Sequence, residues 1–302
     1  MDSSESFLKT TVERVRAYLD DSDFDAKYND AYLVSHVIMP SMVDVQARLA
    51  LNASNNVLLR FNLSLVANQE SYVLPPCVGE ILRVVKYNET NDGTVATEWR
   101  PRGHFSLGGP VWILEGSMIS FRPFPTQNEN IVIEYSSNGD MRPHYHDITT
   151  GLSDANNARL VTTTTFKFSD TPTLGMRDKR LHAYAGQTLR LYGSIYHEER
   201  IISAYDVATR TATVSRPFTL TAAANYSYEA CPPNSQAYVE AVTLASAIKL
   251  GTWRKVSQSH HALLIEQYRM AIKTITDNLS NMQARTGKSW TKDTPDNPDW
   301  RP

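Results

Sequence analysis

Cysteine is nearly absent: Cys77 and Cys231 are the only two in 302 residues. Two thiols build neither a disulfide framework nor a four-thiolate zinc site. Glycine is also sparse, at 13 residues, which disfavours folds that need several glycine-rich phosphate loops. The one GxG-like stretch, Gly108-Gly109-Pro110, ends in a proline that would block the helix and amide donors of a phosphate cradle. No HExxH, GxSxG or CxxC motif occurs. No apolar run approaches the ~18 residues of a spanning helix, so no contact with a membrane is expected. The N-terminal stretch MDSSESFLKTTVERVRAYLDD is polar and charged, and predicts no secretory signal. Charge of either sign is not in excess: 30 basic residues face 32 acidic ones, a net charge of −2. That balance argues against a protein that coats nucleic acid.

What is present is enough apolar material for real cores, 41% of the chain, at a length of about two domains. The first zone, residues 1–56, reads as helical. Leu8, Val12, Val15 and Leu19 form one stripe, with Ser4 or Ser6 as its cap. The acidic run Asp20–Asp25 ends that helix. A second helix is expected over Asp30–Asn52, with Val34, Ile38, Met42, Val45 and Leu49 on one face and a kink at Pro40.

Residues 57–140 read as an antiparallel β domain. Leu59, Phe61, Leu63 and Leu65 alternate with polar residues, and further strands are expected at 81–87, 95–99, 111–114, 118–122 and 131–135. Asn91-Asp92-Gly93 is a turn signal. A polar linker follows near Asn138–Asn157. A second antiparallel β domain spans 150–232, with strands at 161–168, 188–192, 200–205, 211–214 and 226–230. Helices return over 233–286. Tyr238, Val242, Ala245 and Ile248 mark one stripe that Gly251 is expected to end. Leu264, Tyr268, Ala271, Ile275, Leu279 and Met282 mark a longer one, with Gly287 at its C-cap. Residues 287–302 are an extended, proline-rich tail with one aromatic handle, Trp300. The fold class expected is α+β: a helical platform from both ends of the chain, carrying two inserted sandwich- or barrel-like β domains.

Few residues suggest chemistry. His144-Tyr145-His146-Asp147 is the best metal candidate, since histidines at i, i+2 on a strand share a face; an exposed polar linker is the simpler reading. His260 and His261 are adjacent on a helix and point about 100° apart, a poor chelating pair. Cys77, which follows two prolines, reads as a structural thiol. Trp99, Trp112 and Tyr192 would serve a carbohydrate-binding module by stacking on sugars, or fill the sheet cores. Glu98 and Glu115 are the carboxylates a hydrolase would use, but no nucleophile–base or acid–base constellation surrounds them. No enzyme activity, cofactor or metal is therefore expected.

Charge is distributed unevenly. From Lys249 to Lys292 there are eight basic residues, Arg269, Lys273 and Arg285 among them, against Glu266 and Asp277 alone. The first 30 residues hold eight acidic and four basic ones. Such asymmetry suits pairing within or between subunits.

The order of these features resembles the head-to-tail adaptor (connector) proteins of tailed bacteriophages, of the tail tubular protein A type. The resemblance is carried by initial helices, then the Tyr-x-Leu-Pro segment Tyr72-Val73-Leu74-Pro75, then the Ile/Val-rich Ile81-Leu82-Arg83-Val84-Val85, and a C-terminal helix pair with Tyr268-x-x-Ala271. It implies a homo-oligomeric ring, twelvefold in that class, docked on a portal protein and joined to tail or neck proteins. DNA would pass through its lumen without sequence-specific binding. The chain would assemble in the host cytoplasm and reside in the virion neck. Leu264, Tyr268, Arg269, Lys273, Ile275, Arg285, Trp290 and Trp300, on the last helix and tail, would then meet the portal or a neighbouring subunit. The alternative is a receptor- or carbohydrate-binding β module of the tail or capsid surface.

Overall fold

The computed structural model describes residues 6–20, 28–52, 58–87, 94–102, 109–148, 158–193, 196–232, 236–254 and 257–290. Helix α1 spans Phe7–Tyr18, and Ser6 is its cap, accepting from the amide of Lys9. Leu8, Val12, Val15 and Leu19 are all buried. The second predicted helix is built in three parts: α2 (Asp30–Leu33), a π turn (Val34–Ile38) and α3 (Met39–Asn52). The expected stripe from Val34 to Leu49 is buried along its length. Pro40 does not break it. A proline lacks its N–H, and its ring crowds the carbonyl four residues back. The wider bonding of the π turn, in which the Met39 amide reaches Val34 O, takes up that strain without ending the helix.

Helices α4 (Gln236–Arg254) and α5 (Gln258–Trp290) form the other end, and α4 packs against α1, α3 and α5. Both expected glycine stops fail. Gly251 is buried with helical backbone inside α4, and Gly287 lies within α5. Glycine permits a left-handed cap but does not impose one.

The first sheet holds β1 (Leu58–Leu65), β2 (Ser71–Val73), β3 (Val78–Tyr87), β4 (Val95–Pro101), β5 (Val111–Glu115), β6 (Met118–Arg122) and β7 (Glu129–Ser137). Its order is β1-β7-β3-β4-β5-β6-β2. The alternation in β1 matches burial residue by residue: Leu59, Phe61, Leu63 and Leu65 face inward, and Phe61 sits opposite Ile133. One pairing departs from the antiparallel expectation. Strands β4 and β5 run parallel, with Arg100 opposite Val111. A two-residue hairpin would have forced an antiparallel pair; here residues 102–110 separate the strands. The Asn91–Gly93 turn lies outside the described residues.

The second sheet contains β8 (His144–His146), β9 (Arg159–Thr162), β10 (Thr165–Lys167), β11 (Leu174–Gly175), β12 (Thr188–Tyr192), β13 (His197–Asp206), β14 (Thr211–Val214), β15 (Ala224–Asn225) and β16 (Ser227–Cys231), in the order β11-β8-β16-β12-β13-β14-β10-β9-β15. Two expectations are corrected. The threonine-rich run at 161–168 is a hairpin, because Thr162, Thr164 and Thr165 hydroxyls bond each other across the turn. The polar linker contains β8, which pairs with β16 and buries both histidines.

The helices and the first sheet share one apolar cluster, which runs from Phe7 through Phe61 and Tyr135 to Ile275. The second sheet encloses its own, an aromatic cluster of Phe166, Phe168, Tyr184, Tyr205 and Tyr228. The two meet where Tyr135 donates to Ala185 O at 3.3 Å and lies beside the Cys77 thiol. Gly186 has φ +83° there, and a side chain on it would collide with the Tyr135 hydroxyl.

His144 stands inside the aromatic cluster, edge-on to Phe168, Tyr184 and Tyr228, with Nε2 3.0 Å from the Tyr228 hydroxyl. Burial, then the neighbouring His146 and Arg177, lower its pKa to about 3. Unfolded histidine titrates near 6.5. The unfolded chain therefore takes up a proton that the folded one refuses, and stability is lost as pH falls below ~6.5. Between pH 7 and pH 5 this one group should remove about 2 kcal/mol. Urea unfolding at both pH values should show that loss, and His144→Gln should abolish it. An equal loss in the variant would disprove the assignment.

Candidate interaction surface

The second sheet and the N-terminal helix are joined by a buried carboxylate. Glu229 lies in the middle of β16, fully buried. Its Oε2 accepts from the amide of Phe7 at 2.8 Å, and its Oε1 from the amide of Leu8 at 2.9 Å and the Ser6 hydroxyl at 2.6 Å. Tyr192 donates at 3.3 Å, and the Arg190 guanidinium lies 3.4 Å away. The first amides of a helix have no partner within it, and together they carry a partial positive charge. Glu229 therefore completes α1 from another part of the chain. Burial pushes its carboxyl up from the usual range, while the Leu8 amide, Ser6, Arg190 and the Phe7 amide oppose that shift.

Helix α5 is the surface on which the expected partner-binding residues fall. The structure divides them. Leu264, Tyr268 and Ile275 are buried in the chain's own core, so they hold α5 down. Their spacing is that of any packed helix face. Arg269 and Lys273 are exposed, beside the apolar Leu263 and Met270. The side chains of Arg285 and Trp290, and all of Trp300, lie outside the described residues. Between α3 and α5 runs a half-open groove of about 410 Å³, lined by Arg48, Tyr268, Arg269, Ile272, Lys273, Thr276 and Asp277. Arg48 stacks over the Tyr268 ring, 5.3 Å from its centroid. The Tyr268 hydroxyl is buried without a hydrogen-bond partner, and burial raises its pKa.

Most of the acidic start, residues 1–5 and 21–27, lies outside the described residues; the ion pair seen between α1 and α4 has its cation on α1. Arg14 on α1 meets Glu240 on α4 at 3.2 Å, and the Tyr18 hydroxyl donates to the same carboxylate at 2.6 Å. The basic side chains Arg269 and Lys273 keep their outward position on α5.

The Tyr-x-Leu-Pro segment has a structural role. The Tyr72 hydroxyl accepts from the Val66 amide at 2.8 Å and lies within 3.1 Å of the carbonyls of Val66 and Gln69, which closes the turn between β1 and β2. The Leu74 amide bonds to Ser117 O, and Pro75 O accepts from the amide of Val78, which turns the chain into β3. All three residues are buried.

The remaining candidates separate as follows. His144 and His146 do share a face, but it points into the aromatic cluster, and His146 Nδ1 lies 3.1 Å from Thr171 O. Among the described residues no three metal-ligating side chains converge. His260 Nε2 lies 2.9 Å from Tyr18 O, while His261 Nε2 is buried without a hydrogen-bond partner. Cys77 is buried, and burial pushes its thiol up to about 11. Trp99 is packed edge-on to Phe121 in the first core and is closed to a sugar. Trp112 is half-buried against the same core. Tyr192 lines a cleft of about 420 Å³ with Tyr145, Ser6, Lys9, Thr10, Glu13 and Ser227, its hydroxyl turned to Glu229. Glu98 pairs with Arg83 at the surface at 3.0 Å, and Glu115 is exposed at the end of β5.

Sequence reasoning missed Glu229. The only signal for it is a charged residue among the apolar neighbours of β16, Tyr228 and Ala230. No family model matches this chain, and no curated protein matches it. No helix among the described residues is long and apolar enough to cross a membrane.

Removing one partner of a buried charged pair costs roughly 3–5 kcal/mol. Glu229→Ala should lose about that much in urea unfolding, because the buried Phe7 and Leu8 amides and the Ser6 hydroxyl lose their acceptor, while Arg190 keeps Glu199. Tyr72→Phe should lose about 1–2 kcal/mol, since the Val66 amide loses its acceptor. Either variant unfolding like the parent would contradict the corresponding role.

Proposed function

We propose that this chain is a structural protein of a tailed-bacteriophage virion, a head-to-tail adaptor that assembles as a ring on the portal and joins capsid to tail. In this reading the helices of the two chain ends are the platform, and the two sheets project from it. The subunits, twelve in the resembled class, surround a lumen through which packaged DNA passes without sequence-specific contact. The chain is assembled in the host cytoplasm and works in the virion neck, without enzymatic chemistry.

The observation that carries the reading is the arrangement of α5. Its inner stripe is anchored in the core by Leu264, Tyr268 and Ile275, while its outer face presents Leu263, Arg269, Met270 and Lys273 on a helix of 33 residues. Large apolar side chains interleaved with basic ones on a rigid element are what a protein interface uses. The near-neutral total charge also suits a conduit that must not hold DNA.

Electron microscopy of the purified chain, alone and mixed with portal, tests the reading: rings or portal-bound collars are expected. Arg269→Glu with Lys273→Glu should reduce portal-bound collars tenfold or more while leaving the melting temperature within a few degrees, because both side chains are exposed. A monomer that ignores portal would remove the reading.

A further inference from the structure

Four aromatic rings form a row where the end of α4 meets the start of α2. Trp253 lies edge-on to Tyr28, with centroids 6.5 Å apart. Tyr28 stacks on Tyr32 at 5.1 Å, and Tyr32 meets His36 at 4.5 Å. Trp253 is 42% exposed and Tyr32 37%, and His36 is also exposed. The row is held from beneath. Arg16 donates to Tyr28 O at 2.7 Å and to Asp30 at 2.6 Å, so the guanidinium clamps the approach to α2. A ladder of rings at a surface costs solvation without a partner, and aromatic rows with small gaps are the docking sites of polyproline helices.

The sequence contains a segment of matching chemistry. Pro295-Asp296-Asn297-Pro298 is a PxxP element, and Arg301 continues its three-residue spacing. A polyproline helix repeats every three residues, so in that bound form Pro295, Pro298 and Arg301 would fall on one face. Proline also lowers the ordering cost of binding.

Geometry excludes docking within one chain. Trp253 lies at the end of α4, just before α5 begins at Gln258, so the row sits near the N-terminal end of α5. At 1.5 Å per residue, α5 carries the chain roughly 50 Å from Gln258 to Trp290. The five residues from Trp290 to Pro295 reach back about 18 Å at most. We infer that the Pro295–Pro298 element of one subunit docks on the Trp253–Tyr28–Tyr32–His36 row of a second copy of this chain. The inference rests on the ring reading and names the contact that links neighbours.

The test uses full-length chains and one introduced thiol in each. A Thr252→Cys chain is mixed with an Asp299→Cys chain and oxidised with copper–phenanthroline. The native thiols, Cys77 and Cys231, are buried and do not compete. A disulfide joining the two different chains, identified by peptide mass, is expected. Its yield should fall tenfold or more when Tyr32→Ala is added to the first chain, or Pro295→Ser with Pro298→Ser to the second. Thermal melting confirms that the Tyr32→Ala chain is folded. No mixed disulfide, or one indifferent to those substitutions, overturns the inference. Rings on portal without the disulfide overturn it and leave the adaptor reading standing. The disulfide without rings supports the contact and removes the ring.

Discussion

The structure depends on a carboxylate taken out of water. Glu229 of β16 receives the first two amides of α1, the Ser6 hydroxyl, Tyr192 and Arg190. Ser6 in turn accepts from Lys9, so the orphan donors of this helix end are met by one strand residue and one cap. The consequence is long-range. The second sheet, the N-terminal helix and α4, which packs on that helix, are placed relative to each other by a few directional bonds. A polar joint of this kind fixes register where an apolar contact would tolerate sliding.

The two cores follow from different side chains. The helices and first sheet share aliphatic stripes read at spacings of 3.6 and 2 residues. The second sheet is centred on rings, with His144 and Tyr228 supplying the polar atoms that rings alone lack. Close approach between the two is possible because Gly186 leaves room for Tyr135. The function proposed for the molecule uses what these cores leave outside: the charged and apolar outer face of α5, and a row of rings at its beginning.

Periodicity made the elements readable and their surroundings unreadable. The stripe from Leu8 to Leu19 and the alternation in β1 could be read because burial repeats at fixed spacing. Gly251 and Gly287 misled because a glycine inside a packed helix looks the same in sequence as one at its end. His144 and His146 misled because polar residues can be buried once their partners, Tyr228 and Thr171, arrive from distant positions. On α5 the same spacing that identified Leu264, Tyr268 and Ile275 could not say whether their stripe faced a partner or the chain itself.

The sequence by itself determined the α+β class, the order helices–strands–helices, most strand positions and the placement of charge along the chain. These are local properties, set by side-chain spacing and turn residues. Only the tertiary structure decided that β4 and β5 run parallel, that Glu229 caps α1, that α5 turns its tyrosine inward and its lysine outward, and that Trp253 joins Tyr28 and Tyr32 in one row. Each of these joins residues far apart in the chain, and no local pattern encodes which distant group will complete a helix end or cover a ring.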